Sequence, residues 1–195
     1  REGRSLHRSH AIDNLMTGGR RYNGQGVTMG IADDGAIGPH IDFKGRLTQY
    51  TTNFAAGNTH GDMVAGIALG AANLAPTKSG MAPGTYLHMY SISGYPHVVS
   101  APANYTNLGT TITSTSYSQG NGGVYTADAA TIDDQIRNNT MLMHVFSAGN
   151  AGTSDHGYGA GAGWGNITGG YKAAKNVMAV ANLRKTLNDL DDARN

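Results

Sequence analysis

Short apolar runs that end in acids, glycine or asparagine recur along this chain, with helical segments between them. "GVTMGIADDG" (26–35) closes on two acids and a glycine and reads as a buried strand with a functional loop at its end. "TYLHMYSIS" (85–93) and "GTTITSTSY" (109–117), the second rich in β-branched residues, read as further strands. "MLMHVFSAGN" (141–150) is a buried strand running into Gly and Asn, and "VMAVANL" (177–183) is the last clear strand. Between them, "TADAATIDDQIRNN" (126–139) sets Ala129, Ile132 and Ile136 on one helical face behind Thr126, a good N-cap. "HGDMVAGIAL" (60–69) reads as a buried helix with a histidine at its mouth. Strands alternating with helices of adequate length predict an α/β fold: a doubly wound, mostly parallel sheet flanked by helices on both faces.

Size and charge narrow the reading further. The 195 residues suit one domain. A domain near this size buries roughly 70% of its unfolded surface and needs no disulfide or metal staple. The absence of cysteine excludes a disulfide framework and thiolate chemistry. A net charge of +1 without a dense basic run argues against nucleic acid as a partner. No apolar run approaches a membrane span. The 29 glycines imply tight turns, and the glycine-rich segment 157–170 reads as a loop because a strand follows it. The chain opens on Arg1 with no signal-like apolar stretch, so it is expected to be a processed or excised piece.

In such sheets the working residues gather at the carboxyl ends of the strands. Asp33 and Asp34, His60, and Asn150 stand at such positions or at the helix start beside them. Each also has an ordinary reading: acids after a strand cap turns, a histidine before a helix is a surface or capping residue, and "SAGN" is a simple turn. Alternation along Val27, Met29 and Ile31 puts Asp33 on their side and Asp34 on the other, where a solvated turn acid is expected.

Taken together, these stretches resemble the subtilisin-like serine proteases, the subtilases. "GVTMGIADDG" resembles their aspartate motif, which has a D-[ST]-G or D-D-G pattern, and "THGDMVAGIALG" their histidine motif. "SGMAPGTYLHMYSI" is similar to the G-V-A-P-x-A segment and the strand after it. "TSTSYS" resembles the substrate-binding strand and "VFSAGNAG" the A-A-G-N stretch. Five motifs in the family's order cover the chain from about Gly24 to Leu183. The resemblance implies that residues 1–195 are the N-terminal part of a single subtilisin-like peptidase domain, with the fold incomplete in this chain. It makes His60 the general acid and base, Asp33 its orienting carboxylate and Asn150 the oxyanion donor. Substrate would add as a strand between Ser116, Tyr117 and Ser118 on one side and Ser147, Ala148 and Gly149 on the other. It also implies a peptide or protein substrate, no cofactor for the chemistry, and a secreted, cell-surface or periplasmic location.

The sequence departs from the family pattern in three places. Asp62 and Met63 replace the usual Thr and His, and Asp62 is expected to raise the pKa of His60. A structural calcium is common in the family near the N-terminus. Asp42 and, by resemblance, Asn73 stand at matching positions, but the loop after Leu69 differs. The nucleophile motif G-T-S-x-A-x-P is absent. "GTS" at 152–154 runs into Asp155, His156 and Gly157, and a glycine-rich loop cannot supply the motif's helix, so Ser154 is rejected as nucleophile. The serine is therefore expected on a further segment, released as a second chain by cleavage after Asn195, without which these residues should not form a stable monomer. Three other readings stand beside this one. One is an inactive subtilisin-like binding module. The second is a nucleotide-binding α/β protein, against which no P-loop is present. The third is a metal hydrolase using His40, Asp42, His60 and Asp62.

Overall fold

The structure is a computed structural model that describes residues 3–4, 7–17, 20–34, 37–50, 60–92, 98, 100–117, 123–150 and 169–181. Its strands are β1 (Thr28–Asp33), β2 (Leu47–Gln49), β3 (Tyr86–Ser91), β4 (Thr110–Thr115), β5 (Met143–Ser147) and β6 (Met178–Val180). Its helices are the single turn α1 (Ser9–Ile12), then α2 (His60–Leu69), α3 (Ala101–Leu108) and α4 (Ala127–Asn138). The strands form one six-stranded sheet in the order β2-β3-β1-β4-β5-β6, every pairing parallel. The doubly wound α/β architecture expected from the sequence is thus the observed one.

Two apolar clusters cover the sheet. Ile31, Leu87 and Met89 pack with Ala65 and Leu69 of α2, closed by Ile37 and Phe43. Phe146 packs with Ala129 and Ile132 of α4, with Val98 and Ala174 completing that cluster. In register, Ile31 of β1 lies level with Ser114 of β4 and Val145 of β5, and Ala32 with Thr115 and Phe146. Successive strand residues point to opposite faces, so α2 and α4 lie on opposite sides of the sheet.

Two helices correct the expectation in detail. α2 is buried on one side only: Ala65 and Leu69 face the sheet, whereas Met63 and Ile67 are 57% and 68% exposed. Both pairs are spaced i, i+4, and a helix turning 100° per residue cannot present all four to one surface. In α4 the expected apolar face is present, with Ala129 and Ile132 buried and Ile136 packed behind them. Thr126 does stand at the N-cap, but its side chain makes no capping bond. β6 runs parallel to β5 at one edge of the sheet, opposite β2, with Met178 and Val180 half exposed.

Candidate active site

The strand order fixes where a site can form. From β1 the chain passes to β2 and β3 on one side, then crosses through α3 to β4 on the other. The carboxyl ends of β1 and β4 therefore flank a topological switch point, where open parallel sheets leave a crevice. Asp33 closes β1, and Ser116 and Tyr117 follow the last residue of β4.

His60 opens α2 directly beside this crevice. Its Nδ1 lies 2.6 Å from Asp33 Oδ1. A carboxylate only accepts, so Nδ1–H is the donor and Nε2 is left with its lone pair. The Asp33 side chain is 3% exposed and that of His60 49%. The acid is therefore buried while about half of the histidine side chain is open to solvent. Asp33 Oδ1 also accepts from Asp34 N at 2.8 Å. Asp33 Oδ2 is buried without a partner among the described residues.

The hydrogen bond to Asp33 raises the His60 pKa above its usual value, and the charges of Asp33 and Asp34 add to this. A helix start by itself opposes the imidazolium. Partial burial also lowers the pKa, and the bond to Asp33 outweighs that effect. The charge that acts with Asp33 is thus Asp34 rather than Asp62, which instead lines an outer cleft of about 470 Å³ with His40, Asp42 and Met63. The arrangement expected of a metal hydrolase, His40 and Asp42 joining His60 and Asp62, is not formed. Among the described residues the carboxylates gathered within 4.8 Å of the His60 ring are those of Asp33 and Asp34.

Asp34 is not a solvated turn acid. Its Oδ1 accepts from Gly61 N at 2.8 Å, in the first turn of α2. Asp34 follows the last residue of β1, so alternation does not hold there: its carboxylate lies with that of Asp33 beside His60. The space it enters holds a helix end, and no sequence signal near Asp34 marks that neighbour.

The remaining candidates lie along the same carboxyl edge of the sheet. Tyr117 is half-buried, and burial with the nearby charges of Tyr171 and Asp33 pushes its phenol up to about 12, so it stays neutral. Ser116 is half-buried beside it, and Ser118 lies outside the described residues. Ser147 ends β5. Ala148 continues the pairing by donating its N–H to Val180 O at 2.8 Å. Gly149 turns with φ 121°, a conformation that favours glycine, and Asn150 follows it exposed. Ser154 also falls outside the described residues.

Among the described residues, the positions matched to a structural calcium already have protein partners. Asp42 Oδ1 already accepts from Asn73 N at 2.8 Å, and the Asn73 side-chain amide donates to Ile41 O at 3.0 Å. The Arg46 guanidinium is bonded to the carbonyls of Asp42, Leu69 and Thr85. Calcium needs six to eight oxygens. A fixed cation in their midst both occupies them and repels the ion.

Fold and site together define a doubly wound α/β protein with an acid–histidine pair at its crevice. The subtilase family model matches residues 24–194, and the chain belongs to that family. Among solved structures, the patellamide maturation protease PatA matches with TM-score 0.51 and 22% identity over 67% of this chain and 51% of that one. That likeness concerns the fold. The prenylagaramide maturation protease PagA gives TM-score 0.49 and 19% identity, covering 65% of this chain and 47% of that one. MycP1 from the ESX-1 type VII secretion system gives 0.48 and 20%, covering 78% and 45%. The chain spans about half the length of these structures. No curated protein matches it. Among the described residues no helix is long and apolar enough to cross a membrane.

Proposed function

We propose that this chain is the N-terminal part of a serine endopeptidase domain, with the nucleophilic serine supplied by a segment C-terminal to it. The observation that carries this reading is the 2.6 Å bond from His60 Nδ1 to buried Asp33, with about half of the histidine side chain open to solvent. Serine is a poor nucleophile until a base takes its proton. His60 Nε2 accepts the hydroxyl proton as the serine oxygen bonds to the scissile carbonyl carbon. Asp33 holds the Nδ1–H tautomer and stabilises the imidazolium. The Asn150 side-chain amide donates to the oxyanion. The imidazolium then protonates the departing amine, and water repeats the sequence on the acyl-enzyme. The substrate is a peptide or protein strand laid between Ser116–Tyr117–Ser118 and Ser147–Ala148–Gly149. Its serine-bearing partner segment, whether continuous or released as a second chain, completes the sheet beyond β6. Because the base form of His60 is required and its pKa is raised, activity falls as pH drops through that raised value.

The test uses the full protein with its serine-bearing segment. His60→Ala and Asp33→Asn are each expected to lower peptidase turnover by about 10³-fold or more while leaving the fold intact. Fluorophosphonate labelling of the wild type, lost in His60→Ala, reports the activated serine. Wild-type protein that neither labels nor cleaves peptides would instead make this an inactive binding module.

A further inference from the structure

We propose that Asp34 is a positioning residue: its carboxylate fastens the first turn of α2 to the end of β1 and so holds the His60 ring on Asp33. The proposal rests on the peptidase reading for its functional consequence, and on geometry alone for the tether itself.

The first N–H groups of a helix have no partner within it. Gly61 is the second residue of α2 and is buried, and its N–H points to Asp34 Oδ1 at 2.8 Å. The two residues are 27 positions apart, so chain connectivity does not impose the contact. A carboxylate in this place makes a charge-assisted hydrogen bond and meets the positive end of the helix dipole. Asp33, its neighbour, binds the ring of His60, the neighbour of Gly61. Two consecutive acids at the end of β1, Asp33 and the following Asp34, thus grip two consecutive residues on α2, one by its side chain and one by its backbone. The Asp34 N–H bond to Asp33 Oδ1 ties the acids to each other.

A two-point grip matters because little else fixes this end of the helix. Ala65 and Leu69 anchor the later turns in the core. The His60 side chain is 49% exposed, so packing does not set its angle. With the later turns anchored, a single bond from Nδ1 to Asp33 still leaves the first turn free to shift and swing the ring. The second bond removes that freedom. The charged groups acting on the ring are Asp33 and Asp34; Asp62, on α2 itself, lines the outer cleft, and Tyr117 past β4 lies within reach of the charge of Asp33.

The experiment compares Asp34→Asn, which keeps an acceptor oxygen, with Asp34→Ala, which does not. Hydrogen exchange of the Gly61 amide, followed by NMR, reads the tether without any need for activity. Protection is expected to persist in Asp34→Asn and to be lost in Asp34→Ala. The His60 titration midpoint should move to lower pH in both, because both lose the charge. Peptide hydrolysis should show kcat reduced about 10- to 100-fold in Asp34→Ala, the scale of a small misplacement of a catalytic group. In Asp34→Asn the loss should be about threefold or less, with KM little changed in either. Unchanged Gly61 protection in Asp34→Ala, or equal loss in both variants, would overturn the proposal. Should Asp34→Ala fail to fold, the titration in Asp34→Asn decides: a fall supports the placement of the carboxylate, and an unmoved midpoint overturns it. If the wild type cleaves nothing, the peptidase reading falls while exchange and titration still judge the tether.

Discussion

Acidification is expected to weaken this fold through one buried imidazole, His144. The residue is 0% exposed on β5. Its Nε2 lies 3.1 Å from Gln135 Oε1 and its Nδ1 2.6 Å from Thr113 Oγ1. The amide oxygen only accepts, so Nε2 carries the proton and Nδ1 accepts from the threonine hydroxyl. The neutral ring is satisfied on both sides, and a second proton would place a charge in the core. Burial accordingly pushes the pKa down from 6.5 to about 4. An unfolded chain titrates near 6.5, so it binds the extra proton first as pH falls. Stability is whole above that value, declines through the interval, and the loss is complete near the folded value. The gap corresponds to about 3 kcal/mol, a large share of the roughly 5–15 kcal/mol that holds a domain together.

His144→Gln keeps a donor and an acceptor but cannot titrate. Urea unfolding of wild type and variant at about pH 7.5 and about pH 4.5 isolates the linkage. The variant should be the less stable at the higher pH. Its deficit should shrink by about 2–3 kcal/mol at the lower one. His88, bonded to Thr110 and also held low by burial, titrates in both proteins and cancels. Parallel pH dependence in the two proteins would refute the reasoning.

Two further outcomes follow from the site and its surroundings. Asn150→Ala should lower kcat by about 10²- to 10³-fold, the general figure for a subtilisin oxyanion donor, with KM little altered because the oxyanion exists only along the reaction path; a raised KM at constant kcat would move Asn150 to ground-state binding. Arg46→Ala should cost about 2 kcal/mol or more, since Arg46 bonds three carbonyls, while a calcium chelator should leave the melting temperature unchanged; a melting temperature lowered by chelation would show that Arg46 has not replaced the ion.

The sequence by itself determined the layered plan. Apolar runs and 3.6-residue spacing marked β1, β3, β4, β5 and β6, and with them α2 and α4, because core-facing periodicity is a local property. It also brought Asp33 and His60 forward as a pair, through motif order. It left β2 and α3 unmarked. β2 has three half-buried residues, and α3 is eight residues long with Ala101 and Asn104 as its buried positions, so neither carries a strong pattern. Only the tertiary structure decided which contacts the ends of these elements make. Alternation expects Asp34 on the face away from Asp33, yet its carboxylate joins Asp33 and His60, because the strand has ended and the start of a helix 27 positions away meets it there. The same holds for Arg46 beside Asp42 and for Asp62, whose position beside His60 in the chain says nothing about which way α2 turns it. Periodicity reports which face a side chain occupies, and packing at long range supplies what that face meets.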